Sequence, residues 1–485
     1  MFKKVISWLI LLCLVISLYG LIKAIPEGLN QTSTVYEVND KDVQFLADRT
    51  YLNKNGERIS EQQIFDEVLA MIKGANHYIL IDMFLYNSFL GTATTSHRQL
   101  ANELTQALMD KKKQQPEIII QVISDPINNI YGGYESQHFK NLSENNIPVI
   151  LTDLTALRDS NPLYSGLWRT IFQWLPENKS EHLPNLFDAN QPNISLVSYL
   201  NSLNFKANHR KLILTDYSEG EKTGLAVLIT SANPHDGSSA HSNTAIRINK
   251  HLWQDVLKSE STVAHFSDST FIEPKLNLIK DDNKDEIINT KVQLLTEKAI
   301  KIKVLEMINS LQENDTLSMT MFYISDRDIV KALKKADERG VKIKLIFDPN
   351  KDAFGREKNG IPNRQVASEL INNTKGNTEI RWCDTHGEQC HNKLMIIKQS
   401  DNHSLIQGSA NFTRRNLENF NLETDVFVSG TASTTAISDA QNFFNELWGN
   451  KYERTYTTEY KTYQDDSLSR KILYLITEFT GLSSY

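Results

Sequence analysis

Two histidines and two lysines recur at one spacing in this chain, each pair followed by a serine and an asparagine. In the first copy His209 and Lys211 stand two apart, Asp216 completes the pattern H-x-K-x4-D, and Ser231 and Asn233 follow a second apolar run. The runs at 212–214 and 225–229 read as short buried strands. Side chains two apart on a strand face the same way, so His209 and Lys211 are expected to share one face, and Ser231 and Asn233 another. The second copy has His391 and Lys393, an apolar strand, a further strand at 404–407, then Ser409 and Asn411. One histidine and lysine beside a strand is an ordinary surface feature; the recurrence marks a site.

The chemistry these residues suit is attack on a phosphodiester, whose negative charge repels nucleophiles. A neutral imidazole can attack phosphorus and form a phosphohistidine, splitting one hard step into two. A second imidazole can protonate the departing alkoxide and later deprotonate the incoming alcohol or water. Lys211 and Lys393, with Ser231, Asn233, Ser409 and Asn411, would bind the non-bridging oxygens where transition-state charge accumulates. This scheme needs no metal and no cofactor. No metal-ligand spacing, P-loop or dinucleotide fingerprint occurs in the sequence.

The elements that must position these groups come in duplicate. Val43-Gln44-Phe45-Leu46 returns as Val292-Gln293-Leu294-Leu295. Helices are predicted at 64–74 and 298–311, strands carrying Met-Phe at 77–85 and 316–323, helices at 98–111 and 328–339, and strands ending in Asp-Pro at 118–124 and 341–347. Alternating strands and helices imply an α/β fold with mixed, largely parallel sheets. Two such repeats should form a bilobal body about a pseudo-twofold axis, both motifs meeting at the interface.

The doubled H-x-K…S-A-N pattern resembles the phospholipase D superfamily, whose members include phospholipases D, cardiolipin and phosphatidylserine synthases, and some nucleases. The resemblance spans roughly residues 40 to 450 and is specific at the two motifs; Asn208-His209-Arg210-Lys211 looks more like the synthases. It implies His209 as nucleophile and His391 as general acid/base. It also implies a carboxylate behind the histidine from Glu423, in Asn421-Leu422-Glu423. At the matching offset from Asn233 stands Ala245, which leaves Asp236 and His241 as candidate partners of His209. Lys398 stands where the family has its structural aspartate, Asp216 in the first copy, and a local change is expected there.

Residues 5–22 carry no charge and follow Lys3 and Lys4. About 18 apolar residues suffice, at the lower limit, to span a bilayer. The reading favoured is an uncleaved signal anchor over a cleaved signal peptide, with Lys3 and Lys4 cytoplasmic and the catalytic body outside. The organisation expected is an anchor at 1–23, a juxtamembrane linker at 24–40, a first repeat at 41–274, a linker at 275–291 and a second repeat with C-terminal tail at 292–485. Asp125 precedes His209 by 84 residues, whereas Asp348 precedes His391 by 43. The extra length falls in an aromatic-rich insertion at 152–200, either a packed helix or a cap that dips into the lipid surface.

Hydrophobic content of 40% and charged content of 23% are those of a globular protein. A net charge of −7 does not favour a protein that coats nucleic acid. Cys383 and Cys390, beside His391, could pair in an oxidising compartment. The function expected is a membrane-anchored phosphodiesterase or phosphatidyltransferase acting on phospholipids. A tethered nuclease acting on nucleic acid is the second reading and an inactive scaffold the third. Acceptor, head group and oligomeric state are not legible.

Overall fold

Apolar residues at helical spacing open each repeat. Helix Ile64–Gly74 buries Ile64, Val68 and Met71, and helix Lys298–Ser310 buries Ile300, Val304 and Met307. Each stripe lies against a sheet whose strands carry the chemistry. The computed structural model describes residues 2–92, 97–176, 183–185, 187–188, 190–220, 222–276, 288–353 and 356–483.

Among the described residues the first sheet has eight strands, ordered Arg58–Glu61, Val43–Leu52, Asn243–Asn249, Lys222–Thr230, Lys211–Glu219, Tyr78–Met83, Ile119–Ser124, Val149–Leu151. The second has nine: Tyr36–Asn39, Ile288–Thr296, Thr424–Gly430, Asn402–Gly408, Lys393–Gln399, Thr316–Met321, Lys342–Phe347, Thr378–Cys383, Thr457–Glu459. From Val43–Leu52 and from Ile288–Thr296 the two orders correspond strand for strand over seven places. In each, the Met-Phe strand pairs in parallel with the Asp-Pro strand and antiparallel with the strand beginning at the motif lysine. The fold is therefore mixed α/β and bilobal, as the duplication implied, but the sheets are largely antiparallel and not largely parallel. Among the described residues only the Met-Phe, Asp-Pro and next strand of each repeat run parallel, because successive strands there are joined through helices.

Strand alternation builds the three largest apolar cores among the described residues. Leu212, Leu214, Leu394 and Ile396 join one cluster between the sheets. Ile213 packs under the helices of the first lobe, and Met395 and Ile397 under those of the second. The shared core locks the lobes together and sets where their strand ends meet.

Part of the juxtamembrane linker expected at 24–40 packs on the second sheet: Ser33 N–H donates to Leu294 O at 3.0 Å, and Tyr36–Asn39 forms an edge strand there. A strand edge left by the second repeat is thereby covered. Most of the boundary expected at 275–291 lies outside the described residues. Phe2–Ile22 is one helix, long and apolar enough to cross a membrane.

Candidate active site

The loops that deliver the histidines are built alike. Asp125, of the first Asp-Pro, accepts the N–H of Asn208 at 2.7 Å, and Asp348, of the second, accepts the N–H of Cys390 at 2.8 Å. Each aspartate thus holds the residue just before a histidine. Each histidine is then held by the other repeat: His209 N–H donates to Leu422 O and His391 N–H to Ser242 O, both at 2.9 Å. These crossed backbone bonds, with their partners Leu422 N–H to Ala207 O and Ser242 N–H to Gln389 O, fix the imidazoles across the interface.

The side chains behind the imidazoles also cross over. His209 Nδ1 lies 2.9 Å from Glu423 Oε1, and His391 Nδ1 lies 3.1 Å from Asn243 Oδ1. A carboxylate and a side-chain carbonyl only accept, so in both rings Nδ1 carries the proton and Nε2 keeps its lone pair. Asn243 Nδ2 donates to His241 O at 3.1 Å, which orients its amide.

Glu423 therefore stands behind the histidine of the opposite repeat, and the partner sought for His209 is Glu423 itself. The position that matches Glu423 is Asn243, two residues before Ala245. Ser231 Oγ donates to Asn243 Oδ1 and accepts Thr244 N–H, just as Ser409 Oγ donates to Glu423 and accepts Thr424 N–H. The connection from Asn233 to Asn243 is two residues shorter than that from Asn411 to Glu423. Ala245 matches Asp425 instead. Asp425 Oδ1 accepts Ala410 N–H at 3.0 Å, a task done in the first repeat by Thr230 Oγ1 on Ala232 N–H at 2.9 Å. Gly408 stands opposite Asp425 because a Cβ there would meet its Oδ1 at 2.3 Å. Asp236 receives Ala101 N–H, and the His241 ring lies 5.9 Å from His391, so neither partners His209.

Lys211 and Lys393 are wholly buried; their Nζ atoms donate to His209 O and His391 O at 2.6 and 3.1 Å. Each ammonium also faces an aromatic ring from the repeated Met-Phe, Phe84 at 5.0 Å and Phe322 at 5.2 Å. The same rings pack on His209 and His391, with centroids 4.7 and 4.9 Å away. Asn233 accepts Leu85 N–H at 3.1 Å, and Asn411 is buried beyond the second motif. The serine hydroxyls are committed to Asn243 and Glu423 and lie behind the histidines, where they orient these partners.

Burial dominates the electrostatics. It pulls both histidines well below their ordinary value, helped by Lys211 and Lys393, so both are neutral at pH 7. It brings Lys211 down to about 7 and Lys393 well below its ordinary value, the latter helped by Lys211. It raises Glu423 to about 7 against the pull of Lys211. Burial thus disfavours the charged form of both lysines, and an anion placed between them would stabilise both ammonium groups.

Asp216 is structural: its carboxylate accepts the N–H groups of Asn76, His77 and Tyr78 at 2.8–3.1 Å. In the matching turn of the second repeat the carboxylate comes from within the turn: Asp315 accepts Gln312 N–H at 2.8 Å, while its own N–H donates to Gln312 O. Lys398 there pairs in register with Thr316 and His403, a local change only. Cys383 and Cys390 are joined in a disulfide beside His391. The carboxylates of Asp326, Asp328 and Glu418 lie close enough together to hold a cation, and Lys301 Nζ already sits among them at 2.7–2.9 Å.

Residues 304–448 match the family model described as the cardiolipin synthase, phospholipase D-like domain. The second repeat is a phospholipase D-like domain. Over its whole length the chain is similar in fold to the phosphatidylserine synthase of Haemophilus influenzae Rd KW20. The match has a TM-score of 0.56 at 9% identity and covers 97% of this chain and 98% of that one. Nuc, a phospholipase D family member from Salmonella typhimurium, aligns with 34% of this chain and 97% of its own at 21% identity, TM-score 0.28. A polyphosphate kinase from Porphyromonas gingivalis aligns with 91% of this chain and 54% of its own at 10% identity, TM-score 0.45. Comparison with curated protein sequences returns no match. The family match falls in the second repeat, the likeness in fold to the phosphatidylserine synthase spans both repeats, and the first repeat has the same site elements as the second.

Proposed function

We propose that the protein is a membrane-anchored phospholipid phosphodiesterase or phosphatidyltransferase that works through a phosphohistidine on His209. The observation that carries this is the crossed pair behind the imidazoles: Glu423 on His209 and Asn243 on His391. A carboxylate at Nδ1 increases the electron density at Nε2 and stabilises the cationic phosphoimidazole that attack creates. An amide holds the same tautomer with far less stabilisation of a cation. His391 is accordingly the weaker base and, once protonated, the stronger acid, which suits it to protonate the leaving alkoxide.

In this scheme the phosphodiester enters as an anion between Lys211 and Lys393 and stabilises both ammonium groups. His391 takes up a proton at Nε2 from solvent when the phosphodiester anion binds; Nε2 of His209 then bonds to phosphorus as the P–O bond to the leaving alkoxide breaks, and His391 gives that oxygen its Nε2 proton. The incoming water or alcohol then returns a proton to His391 Nε2 and attacks phosphorus, releasing His209. The lysines, with Asn233 and Asn411, would stabilise charge on the non-bridging oxygens.

The test uses detergent-solubilised full chain with phosphatidylglycerol vesicles and, separately, a single-stranded oligonucleotide, each with chelator. Cardiolipin, phosphatidic acid or free head group, with an acid-labile phosphoenzyme that disappears in H209A, is the expected result. Cleaved oligonucleotide with untouched lipid would replace this reading with the nuclease one. No product from either would leave the scaffold.

A further inference from the structure

The C-terminal helix, Leu468–Thr480, is turned inside out for a helix in water. After its first turn, two polar side chains face the protein: Tyr474 Oη donates to Ser325 O at 3.0 Å, and the buried Glu478 accepts Arg414 N–H. Its apolar side chains face away. Leu468 is 70% exposed and Phe479 85%, and Ile472 and Ile476 complete one stripe at helical spacing. An amphipathic helix on a water-facing surface has the opposite arrangement. An apolar stripe this long calls for a cover.

The insertion presents a second such face. Helix Pro162–Thr170 and the turn after it expose Leu163, Ile171 and Trp174, the last 75% exposed. On its other side this helix packs against the N-terminal helix through small residues. Gly166 fits there because a Cβ would lie 1.9 Å from Ser17 Oγ and 2.7 Å from Cys13 O. Cys13 Sγ lies 3.6 Å from Thr170 Oγ1, and Gly20 O accepts Asp159 N–H at 2.9 Å. Close approach over small residues is how helices associate inside bilayers.

Depth follows from this contact. From Cys13 to Ile22 the N-terminal helix rises about 14 Å, roughly half a hydrocarbon core. If Phe2–Ile22 spans the bilayer, as proposed above, the insertion helix that runs beside its second half is carried into the adjoining leaflet.

The two exposed faces are joined. Gly481 ends the C-terminal helix against Ser160, whose carbonyl a Cβ there would meet at 1.8 Å. Arg415 ties the junction, donating to Ser160 Oγ at 3.3 Å and to Gly481 O at 3.1 Å. Arg415 is four residues past Asn411, and the insertion continues through Phe205 into the loop that delivers His209. The joined surface therefore borders the strand ends that carry both motifs.

We infer that the insertion helix and the C-terminal helix are immersed together in the leaflet at the C-terminal end of the anchor, forming with it one lipid-embedded surface. The inference rests on the anchor reading and adds to it a second and third lipid contact. Arg470 and Lys471, exposed on the first turn of the C-terminal helix, are placed for lipid phosphates. A phospholipid would then reach the motif loops without leaving its leaflet.

The test is spin-label accessibility on the full chain in vesicles of phosphatidylglycerol and phosphatidylethanolamine. Single labels are placed by F479C, W174C, L9C and N55C in a C13S background. Labels at 479 and 174 should behave like that at 9, colliding with oxygen and losing collisions with a water-soluble nickel chelate, while the label at 55 keeps them. Nickel collisions at 479 and 174 as frequent as at 55, with 9 still shielded, would overturn the inference and leave the anchor standing. Nickel collisions at 9 as well would remove both. Shielding at 479 from both reagents, with broadening relieved by unlabelled protein, would show that a second copy covers the face, and would also overturn it.

Discussion

Glu423 of the second repeat binds the imidazole of His209 in the first, while Asn243, its counterpart, binds His391. One protein built by duplication has thus made its two histidines electrically different. E423Q keeps the hydrogen-bond geometry and removes the charge. It should lower kcat by about two to four orders of magnitude, as when the carboxylate behind a catalytic imidazole is replaced by its amide. Rapid-quench measurement should place the loss in phosphoenzyme formation. N243D, which makes the pair symmetric, should leave phosphoenzyme formation within about tenfold. Equal losses in the two variants would remove the assignment of roles.

The same burial predicts a narrow pH optimum. Glu423 is raised to about 7, so below that pH it is protonated and His209 loses its carboxylate. Lys211 is lowered to about 7, so above that pH the free site loses an ammonium needed for the phosphate. The value of kcat/KM should therefore fall on both sides of neutrality. K211R keeps a charge at position 211 at all these pH values, and should shift the alkaline limb, which then reports Lys393 alone, while leaving the acid limb in place. A profile flat from pH 6 to 8 in the unmodified protein would contradict these assignments.

Arg210, inside the first motif, is a structural clamp between the lobes. Its guanidinium is fully buried and binds Glu260 at 2.8 Å and Glu297 at 2.7 Å, and Glu297 also accepts Glu423 N–H at 3.2 Å. R210M leaves two buried carboxyl groups without their cation and should cost about 3–5 kcal/mol. Chemical denaturation of the detergent-solubilised chain measures it. R210M/E297Q should recover part of the loss, since one uncompensated charge is gone.

Much of this was legible in the sequence, and what was not has physical reasons. The Met-Phe and Asp-Pro repeats announced the strands, and here they supply the rings on His209 and His391 and the carboxylates that hold the loops before them. Asn243 was hidden by counting: a two-residue difference in one connection moved the matching position off Ala245, and only the serine hydrogen bonds restore the register. The exchange of Thr230 and Ala245 for Gly408 and Asp425 satisfies one backbone N–H in two ways, so no single position reveals it. The strand at Tyr36–Asn39 was read as a linker because its four residues carry no pattern without the edge they cover. The C-terminal helix has an ordinary amphipathic period, and period alone does not tell which face meets the protein.

The disulfide gives a last prediction. Cys390 is held three ways: by its bond to Cys383, by its N–H to Asp348, and through the crossed strand contact with Ser242. Closing so short a loop is worth about 2 kcal/mol. Reduction should therefore lower stability by that order without unfolding the chain, because the backbone bonds remain. It should also slow turnover severalfold, since the loop that carries His391 loses one of its restraints. Activity should fall on adding a phosphine reductant, and C383A/C390A should start at the lower rate and no longer respond. The first repeat is a built-in comparison: Asn208 stands where Cys390 does, and donates from Nδ2 to the buried carboxylate of Asp82 at 2.8 Å. His209 is thus restrained by a hydrogen bond that reductant does not touch, and phosphoenzyme formation from a substrate whose leaving group needs no proton should be slowed less by reductant than formation from one that leaves as an alkoxide. An equal effect on the two leaving groups would contradict the placement of His391 as the acid.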